Sequence, residues 1–375
     1  MYVALLAGWN DIHTVRWANA LATRGLTIRL FTQHAGKEPL HPAVQVRLLP
    51  FRGRHGYFLN ALPLMYALRK SPVDLVHALY ASGYGTLARL SGCQRKLVSV
   101  MGADVYDFPR CSRLHRRLVV ANLRAAAIAS TSHCMARETH RLAPDLEFPT
   151  VTPWGVDLEK FRALDGGRED GVLTLGTVKK LAPKYGIDLL IRAFARCQSL
   201  LPAGQPQLRL RLVGEGPQRA ELEDLAVRCG VREKVDFVGA VPHDQVCREL
   251  NRLDVYCALS RLDSESFGVA VIEASACQRP VVVSAVGGLP EVVRDNHTGF
   301  IVPREDPDRA AQALVRLVRE PQRRLRFGAA GRAFVQQHYD WHENVERMLA
   351  LYRRLVPRPR RAVVCGGAAG VRAAA

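Results

Sequence analysis

Two glutamates of this 375-residue chain, Glu265 and Glu273, have the residue type and spacing to bind a polar ligand. The residues between them, Ser-Phe-Gly-Val-Ala-Val-Ile, are mostly apolar and are typical of the start of a buried helix. If the whole segment were helical, a rise of 1.5 Å per residue would separate the two carboxylates by roughly 12 Å. Backbone N–H groups near Phe267, Gly268 and Val269 would then lie between them and attract negative phosphates. The pattern therefore indicates a ligand with hydroxyl groups on both sides of a diphosphate.

Glutamates at this spacing are also common as solvated side chains on a helix surface, so their surroundings decide between the two interpretations. Glu265 follows an apolar run and a Ser-Arg-Leu-Asp-Ser turn, and Glu273 lies among Ala, Ile and Ser rather than on a charged face. This context favours ligand binding.

The elements that must position these residues follow an α/β pattern. Both halves of the chain alternate short apolar runs with segments of helical period, which predicts βαβ units and parallel sheets. The predicted strands are 3–6, 27–32, 44–49, 75–78, 97–100, 126–130 and 150–153, then 172–178, 208–213, 235–238, 255–258, 281–284 and 299–302. The predicted helices include 15–23, 59–70, 83–90, 188–197, 219–229 and 340–355. Such sheets bind ligands at the carboxyl ends of their strands.

The pattern restarts after residues 165–171, a polar and glycine-containing stretch that we interpret as a linker. We therefore predict two doubly wound domains, 1–165 and 166–338, followed by a helical segment 339–356. The tail 357–375 is rich in Pro, Arg, Gly and Ala, a composition for which we expect disorder.

Several motifs in the second half resemble family 4 of the retaining glycosyltransferases, which have the GT-B fold. The central one is Ser264-Glu265-Ser-Phe-Gly-Val-Ala-Val-Ile-Glu273, followed by Arg279-Pro-Val-Val-Val-Ser284 and Gly287-Gly-Leu-Pro-Glu291. Further family motifs occupy residues 154–161, 212–217, 235–239 and 298–303. The resemblance covers residues 150–355 closely and the first half more loosely. It implies two Rossmann-like domains facing across a cleft, the first binding the acceptor and the second the nucleotide sugar, with the last helix packing back toward the first domain.

The resemblance also implies roles for individual residues around the donor. Glu273 would hold the donor ribose, and Glu265 would contact hydroxyl groups of the transferred sugar. An Arg and a Lys five residues apart grip the diphosphate in the family, and this chain keeps that spacing with Lys179 and Lys184. Lys at the first position loses the bidentate fork of Arg, and Lys180 is an alternative there. The other residues assigned to the donor site are Phe267, Gly268, Val269, Gly8, Gly214, Gly287 and Gly288.

The first half contributes two further catalytic candidates. Gly8 and His13 lie in a loop after the first predicted strand, where a glycine permits close approach to phosphate or acceptor. His13 is a candidate for the reaction centre, and a helix-capping role is the alternative. Family members often carry His where this chain has Met101, so Asp104 becomes the candidate in the Met-Gly-Ala-Asp turn.

The reaction implied by the resemblance retains the configuration at the anomeric carbon. The leaving diphosphate, stabilised by the lysines, would itself take the acceptor proton, so we expect neither a dedicated base nor a metal or other cofactor. The alternatives are a nucleotide-sugar 2-epimerase and a non-catalytic carbohydrate-binding protein. A nicotinamide-dependent oxidoreductase is disfavoured because neither half has G-x-G-x-x-G after its first strand.

The formal charge of +18 suits nucleic acid, an anionic membrane surface or anionic substrates. No nucleic-acid-binding motif accompanies it, so we expect no nucleic-acid partner. Part of the excess positive charge comes from four arginines clustered on a predicted helix: Arg110, Arg113, Arg116 and Arg117. Two interpretations of this cluster are open, a solvated helix face and a surface that binds an anionic membrane. Without an apparent signal peptide or membrane span, we expect a cytoplasmic protein, peripheral on the inner membrane face. The predicted acceptor is a lipid-linked glycan of cell-surface polysaccharide or lipopolysaccharide synthesis, with a UDP- or GDP-sugar as donor; a soluble small-molecule acceptor is the alternative.

Overall fold

The computed structural model describes residues 1–36, 38–166, 171–202 and 206–358. The chain forms two compact units by its internal contacts. One consists of residues 1–98 with the described residues from 350 onward, and the other of residues 99–349. The described strands form two parallel sheets, one of seven strands and one of six. This confirms the predicted α/β fold class.

The first sheet has the strand order β3-β2-β1-β4-β5-β6-β7. Its strands are β1 (Tyr2–Leu6), β2 (Thr27–Thr32), β3 (Gln45–Leu48), β4 (Leu75–Leu79), β5 (Lys96–Val100), β6 (Ala127–Ser130) and β7 (Thr150–Val151). Val3 of β1 pairs in parallel with Ile28 on one side and Leu75 on the other, and all three side chains are buried. Strands buried on both faces explain the continuous apolar runs in the sequence.

The helices that accompany the first sheet connect consecutive parallel strands. They are α1 (Ile12–Thr23), α2 (Gly53–Leu59), α3 (Ala61–Lys70), α4 (Gly83–Leu90), α5 (Ala103–Tyr106), α6 (Arg113–Arg124) and α7 (His133–Leu142). The predicted helix 59–70 corresponds to α3, which begins slightly later at Ala61, whereas α2 was not predicted. The buried Asn60 side chain bonds both the N–H and the carbonyl of Phe51, which holds the chain at the junction between α2 and α3.

The second sheet has the order β10-β9-β8-β11-β12-β13. Its strands are β8 (Val172–Val178), β9 (Gln207–Val213), β10 (Val235–Gly239), β11 (Val255–Ala258), β12 (Val281–Ser284) and β13 (Gly299–Val302). Its helices are α8 (Ile187–Leu200), α9 (Arg219–Arg228), α10 (Val246–Asn251), α11 (Val269–Ala276), α12 (Pro307–Arg319) and α13 (Pro321–His338), followed by α14 (Trp341–Leu355). β8 lies in the middle of the sheet, between β9 and β11, so the loop that follows it begins at the centre of the carboxyl edge.

Two segments of the predicted organisation fall partly outside the described residues. Residues 167–170 of the predicted linker and 359–375 of the predicted tail are not described, so the linker, the tail and the domain boundary near residue 165 remain predictions. None of the helices in the described part of the chain combines the length and apolar character needed to cross a membrane.

Candidate active site

The segment between Glu265 and Glu273 changes from a loop to a helix at Gly268, so it is not helical throughout. α11 begins only at Val269, and Gly268 at its N-cap has a φ of +99°. A β-carbon at residue 268 would also lie 2.8 Å from Leu289 Cδ2, so the turn favours glycine for both conformational and steric reasons. Glu265 therefore lies in the loop before the helix, and the spacing of roughly 12 Å does not apply.

The start of α11 is the accessible part of this helix. Val269 and Ala270 are partly exposed, whereas the rest of the helix is buried. The first N–H groups of a helix have no intrahelical acceptor and carry the positive end of the helix dipole. Glu273 lies one turn further along the face of Val269 and is only 5% exposed. Four residues assigned to the donor from the sequence thus lie at or next to the start of α11: Phe267, Gly268, Val269 and Glu273.

An ion pair joins the loop that follows β8 to the loop that precedes α11. Lys179 Nζ donates to Glu265 Oε1 at 2.8 Å, and the two side chains are 15% and 8% exposed. Burial lowers the pKa of Lys179, whereas the carboxylate of Glu265 and the hydroxyl of Tyr256 raise it. The raising effects are together larger, so the pKa of Lys179 lies above its ordinary value. Lys179 therefore stays positively charged throughout the physiological pH range.

Lys184 lies beside this pair in different surroundings. Its Nζ donates to the carbonyl of Ser264 at 2.8 Å. The ring of Tyr185 lies 4.9 Å from Lys179 Nζ and 5.5 Å from Lys184 Nζ, within the range of a cation–π contact. Burial lowers the pKa of Lys184, Glu265 opposes this shift and Lys179 reinforces it. The two predicted lysines thus lie at one site with Glu265.

The glycine pair Gly287-Gly288 packs against the loop that carries Glu265. Gly288 N donates to the Glu265 carbonyl at 3.0 Å, and Gly287 N donates to Asp263 Oδ1 at 3.1 Å. A β-carbon on Gly287 would lie 2.2 Å from the Glu265 carbonyl oxygen, and one on Gly288 would lie 2.2 Å from that of Ser266. Both amides are engaged within the protein, so the pair positions Glu265. Its predicted contact with the donor remains a prediction.

Gly214 likewise allows close backbone packing, in this case against Lys179. Its φ is +142°, and a β-carbon there would lie 1.9 Å from the Lys179 carbonyl oxygen. Lys179 N in turn donates to the Val213 carbonyl at 2.9 Å. The alternative lysine, Lys180, is exposed. The structure therefore brings Lys179, rather than its neighbour, into contact with Glu265.

Asp104 is buried in a turn that touches the same loop. Its Oδ1 accepts the N–H groups of Met101 at 3.0 Å and Gly102 at 2.9 Å, and its surface is 2% exposed. Ser266 Oγ donates to the Met101 carbonyl at 3.2 Å, and a β-carbon on Gly102 would lie 2.8 Å from Ser266 Oγ. This carboxylate shapes the turn beside the Glu265 loop, and its predicted catalytic role remains a prediction.

Gly8 and His13 belong to the other compact unit, at the carboxyl end of β1. A β-carbon on Gly8 would lie 2.7 Å from Asn10 Oδ1, so the loop closes tightly there. Asp11 caps α1 by accepting the N–H of His13 at 2.9 Å, and this cap explains why α1 begins before the predicted residue 15. The capping residue is therefore Asp11, and the predicted roles of Gly8 and His13 remain predictions.

The four arginines for which a solvated helix face and an anionic membrane surface were both open are exposed. Arg113, Arg116 and Arg117 lie on α6, and Arg110 lies on the short 3₁₀ turn before it. Arg110 is also 3.8 Å from Glu138.

Two residues of this region were not predicted from the sequence. Tyr185 is adjacent to Lys184, and only the fold shows that its ring lies near both ammonium groups. Glu291 accepts the backbone N–H groups of His133 at 2.8 Å and Cys134 at 2.5 Å, at the start of α7. The sequence feature that could have indicated Glu291 is its position at the end of the Gly-Gly-Leu-Pro-Glu motif.

The arrangement provides two ammonium groups, the N–H groups of a helix start and two carboxylates in one place. Ammonium and amide groups bind a diphosphate, and carboxylates accept hydrogen bonds from sugar hydroxyls. Within the described residues, no group of three or more His, Cys, Asp or Glu side chains is arranged to hold a metal ion. Independence of a metal remains a prediction.

Two family profiles match this chain: "Glycosyl transferases group 1" over residues 165–334 and "Glycosyl transferase 4-like" over residues 2–132. The D-inositol 3-phosphate glycosyltransferase of Kribbella flavida is 30% identical, over 92% of this chain and 91% of that protein. A GDP-mannose-dependent alpha-(1-6)-phosphatidylinositol monomannoside mannosyltransferase of Mycobacterium tuberculosis is 30% identical over 68% of each chain.

Solved structures share the fold. Sucrose-phosphate synthase from Thermosynechococcus elongatus superposes with a TM-score of 0.81 at 23% identity, covering 95% of this chain and 99% of that one. Alr3699/HepE from Anabaena, solved in complex with UDP and glucose, has a TM-score of 0.77 at 17% identity, covering 94% of this chain and 100% of that one.

Proposed function

The chain belongs to the glycosyl transferases group 1 family and is a glycosyltransferase, and on that premise we propose that its donor is a UDP- or GDP-sugar and that transfer retains the anomeric configuration. The observation that carries this proposal is the Lys179–Glu265 ion pair beside the accessible start of α11. It combines the charges that a diphosphate and a sugar require in one partly buried place.

The donor is assigned to this site by charge. Lys179 and Lys184 supply positive charge that would neutralise the diphosphate, together with the first N–H groups of α11. Glu273, one turn along the same helix, accepts hydrogen bonds from the ribose, and Glu265 accepts them from the transferred sugar. A neutral diol as the partner of each carboxylate avoids repulsion between carboxylate and phosphate.

The reaction requires no further reagent. The bond between the anomeric carbon and the diphosphate oxygen breaks, and an acceptor hydroxyl oxygen forms the new bond on the same face. The hydroxyl proton passes to the departing phosphate oxygen, so charge and atoms balance without a protein base. The lysines stabilise the negative charge that develops on the leaving group, and we propose that this replaces a metal ion.

The acceptor we propose is a lipid-linked glycan of cell-surface polysaccharide or lipopolysaccharide synthesis, reached from the cytoplasmic face of the membrane. The phosphatidylinositol monomannoside mannosyltransferase among the relatives supports a lipid acceptor. A soluble acceptor is a second candidate, because D-inositol 3-phosphate glycosyltransferases match over about nine tenths of both chains.

A thermal-shift panel of UDP-, GDP- and dTDP-sugars tests the donor assignment. We expect a UDP- or GDP-sugar to raise the melting temperature of the wild type and to have little effect on Glu273→Gln. Exposed Glu147 provides the matched control, since Glu147→Gln removes the same charge outside the site. Stabilisation by none of the nucleotide sugars, or equally of both variants, would refute the assignment.

One experiment tests both the retention of the anomeric configuration and the identity of the acceptor. The protein is incubated with the stabilising donor and either inositol phosphates or membrane lipids. We expect an NMR-visible product with the anomeric configuration of the donor. An inverted product would exclude the retaining mechanism, and an epimeric nucleotide sugar formed without acceptor would indicate the epimerase instead.

A further inference from the structure

Large apolar side chains are exposed together on one stretch of the first unit. Among the described residues, twelve such side chains are exposed, and six of them lie between residues 48 and 66. We call this the β3–α3 face, and its apolar members are Leu48 (56% exposed), Phe51 (45%), Phe58 (49%), Leu59 (54%), Leu62 (74%) and Tyr66 (70%). An apolar concentration of this kind marks an interaction surface, whereas scattered exposed residues do not.

The folded chain beneath the face holds these side chains outward. On α3, Leu62 and Tyr66 are four residues apart and lie on one face, while Leu64 and Leu68 are buried on the other. α2 is held by Gly56, where a β-carbon would lie 2.5 Å from both Gln33 Oε1 and the Phe51 carbonyl oxygen. On the two helices, the exposure is therefore a property of packed elements.

The charge of the same stretch is uniformly positive. Residues 39–73 contain no Asp or Glu, and they contain five Lys or Arg, which gives a formal charge of +5. All five basic side chains belong to exposed residues: Arg47, Arg52, Arg54, Arg69 and Lys70. In the part of the chain that the structure describes, no ion pair joins any of them to a carboxylate. The face thus combines apolar groups with unneutralised positive charge.

We propose that the β3–α3 face docks on a phospholipid bilayer that carries anionic lipid. Apolar and aromatic side chains enter the boundary between headgroups and acyl chains, and Lys and Arg bind the anionic headgroups. A second copy of this chain is the weaker candidate as the partner of this face. A two-fold symmetric contact would bring together two faces that each carry a formal charge of +5, and these would repel each other. The arginine surface of α6 exposes a single large apolar residue, Leu114, and lacks the apolar half of such a site.

The face also borders a polar cluster at the carboxyl end of β2. The ring of Tyr57, on α2, lies 5.2 Å from that of Tyr84, whose hydroxyl bonds His34 Nδ1 at 2.9 Å. A lipid-linked acceptor in the docked membrane would present its headgroup near this cluster. That link rests on the proposed acceptor, whereas the docking itself does not depend on sugar chemistry.

Vesicle sedimentation of the full chain tests the proposal without any nucleotide sugar. We use vesicles of phosphatidylcholine alone or mixed with phosphatidylglycerol, and we expect binding to the mixed vesicles only. Arg52→Gln/Arg54→Gln should weaken binding about 30-fold, and Leu62→Gln/Tyr66→Gln should weaken it at least about tenfold. The matched controls on α6, Arg113→Gln/Arg116→Gln and Leu114→Gln, should change it less than about twofold.

Each other outcome contradicts the proposal. Equal binding of all variants, binding to neither vesicle, or loss only in the α6 variants would exclude the β3–α3 face as the docking surface. A dimer in light scattering that Leu62→Gln/Tyr66→Gln dissociates would assign the face to a second copy. A cooperative urea unfolding transition, retained in every variant, shows that the variants fold, and because it needs no nucleotide sugar it separates this test from that of the proposed function.

Discussion

Lys179 and Lys184 carry the same nominal charge but lie in different electrostatic surroundings. Lys179 contacts Glu265, and its pKa is raised despite its burial. Lys184 donates to the Ser264 carbonyl, and burial lowers its pKa, a shift that Glu265 opposes and Lys179 reinforces. A bound diphosphate would add negative charge beside Lys184 and raise its pKa, so the two residues should respond differently to pH.

We expect donor affinity to fall at alkaline pH because Lys184 loses its proton. Its pKa is lowered in the free protein and would rise once the diphosphate is bound. The protein therefore binds donor most tightly below the free pKa, and affinity decreases up to about tenfold per pH unit as the pH rises through it. Calorimetric titration of the donor across pH 7 to about 10 measures this decrease.

Lys184→Arg is the control for that titration. Arginine stays charged above pH 12, so the alkaline loss of affinity should disappear while binding at neutral pH remains measurable. An unchanged alkaline decrease in this variant would show that another group is responsible.

At the scale of elements, the site depends on how closely loops approach one another. The loop with Glu265 lies against the Gly287-Gly288 turn and the Met101–Asp104 turn, and the Lys179 backbone lies against Gly214. Glycine at these contacts removes the β-carbon that would separate the backbones. The position of Glu265 is therefore set mainly by neighbouring backbone.

Gly287→Ala should reduce donor binding strongly. At a φ of +49°, alanine costs about 1–2 kcal/mol in backbone strain, and the contact with the Glu265 carbonyl adds about 1–3 kcal/mol. Gly230 is a matched control in the same unit, since its φ is +67° but a β-carbon there would meet no atom within 4 Å. Both variants should lose stability in urea unfolding, but only Gly287→Ala should lose thermal stabilisation by the donor. Equal losses would mean that the contact does not position Glu265.

At the scale of the whole molecule, the first unit joins residues from the two ends of the chain. A hydrogen bond of 2.6 Å connects His77 Nδ1 on β4 with the Tyr352 hydroxyl near the end of α14, across 275 residues. Both side chains are buried, and burial lowers the pKa of His77 to about 3. His77 is therefore a neutral structural residue, which agrees with its position inside a strand.

This buried histidine predicts a loss of stability in mild acid. Between an unfolded pKa of about 6.5 and the folded value of about 3, only the unfolded chain takes up the proton. The stability is complete above pH 6.5 and decreases by about 1.4 kcal/mol per pH unit below it from this residue. Urea unfolding at pH 7.5, 6 and 5 measures the slope, which should be shallower in His77→Gln. An identical slope would contradict the burial of a neutral imidazole.

Most of the secondary structure could be predicted because most strands are short apolar runs, and the central ones are buried on both faces. Five of the predicted strands have the observed bounds, among them β2 (Thr27–Thr32) and β8 (Val172–Val178). The predicted helix bounds are wrong where a single side chain or a single backbone angle sets the start of a helix. Asn60 bonds Phe51 and so delays the start of α3 to Ala61, and the positive φ of Gly268 delays the start of α11. Periodicity carries no information on either event.

The sequence by itself determined the fold class, the family and the residue types of the candidate site, since apolar periodicity and motif spacing are local properties. Only the tertiary structure decided that Glu265 lies in a loop and pairs with Lys179, 86 residues away. It also decided that Tyr185 lies near both lysines, and that Gly287 and Gly288 support Glu265 through their own amides. The physical reason is that ion pairs, burial and backbone contacts depend on distances between segments remote in sequence.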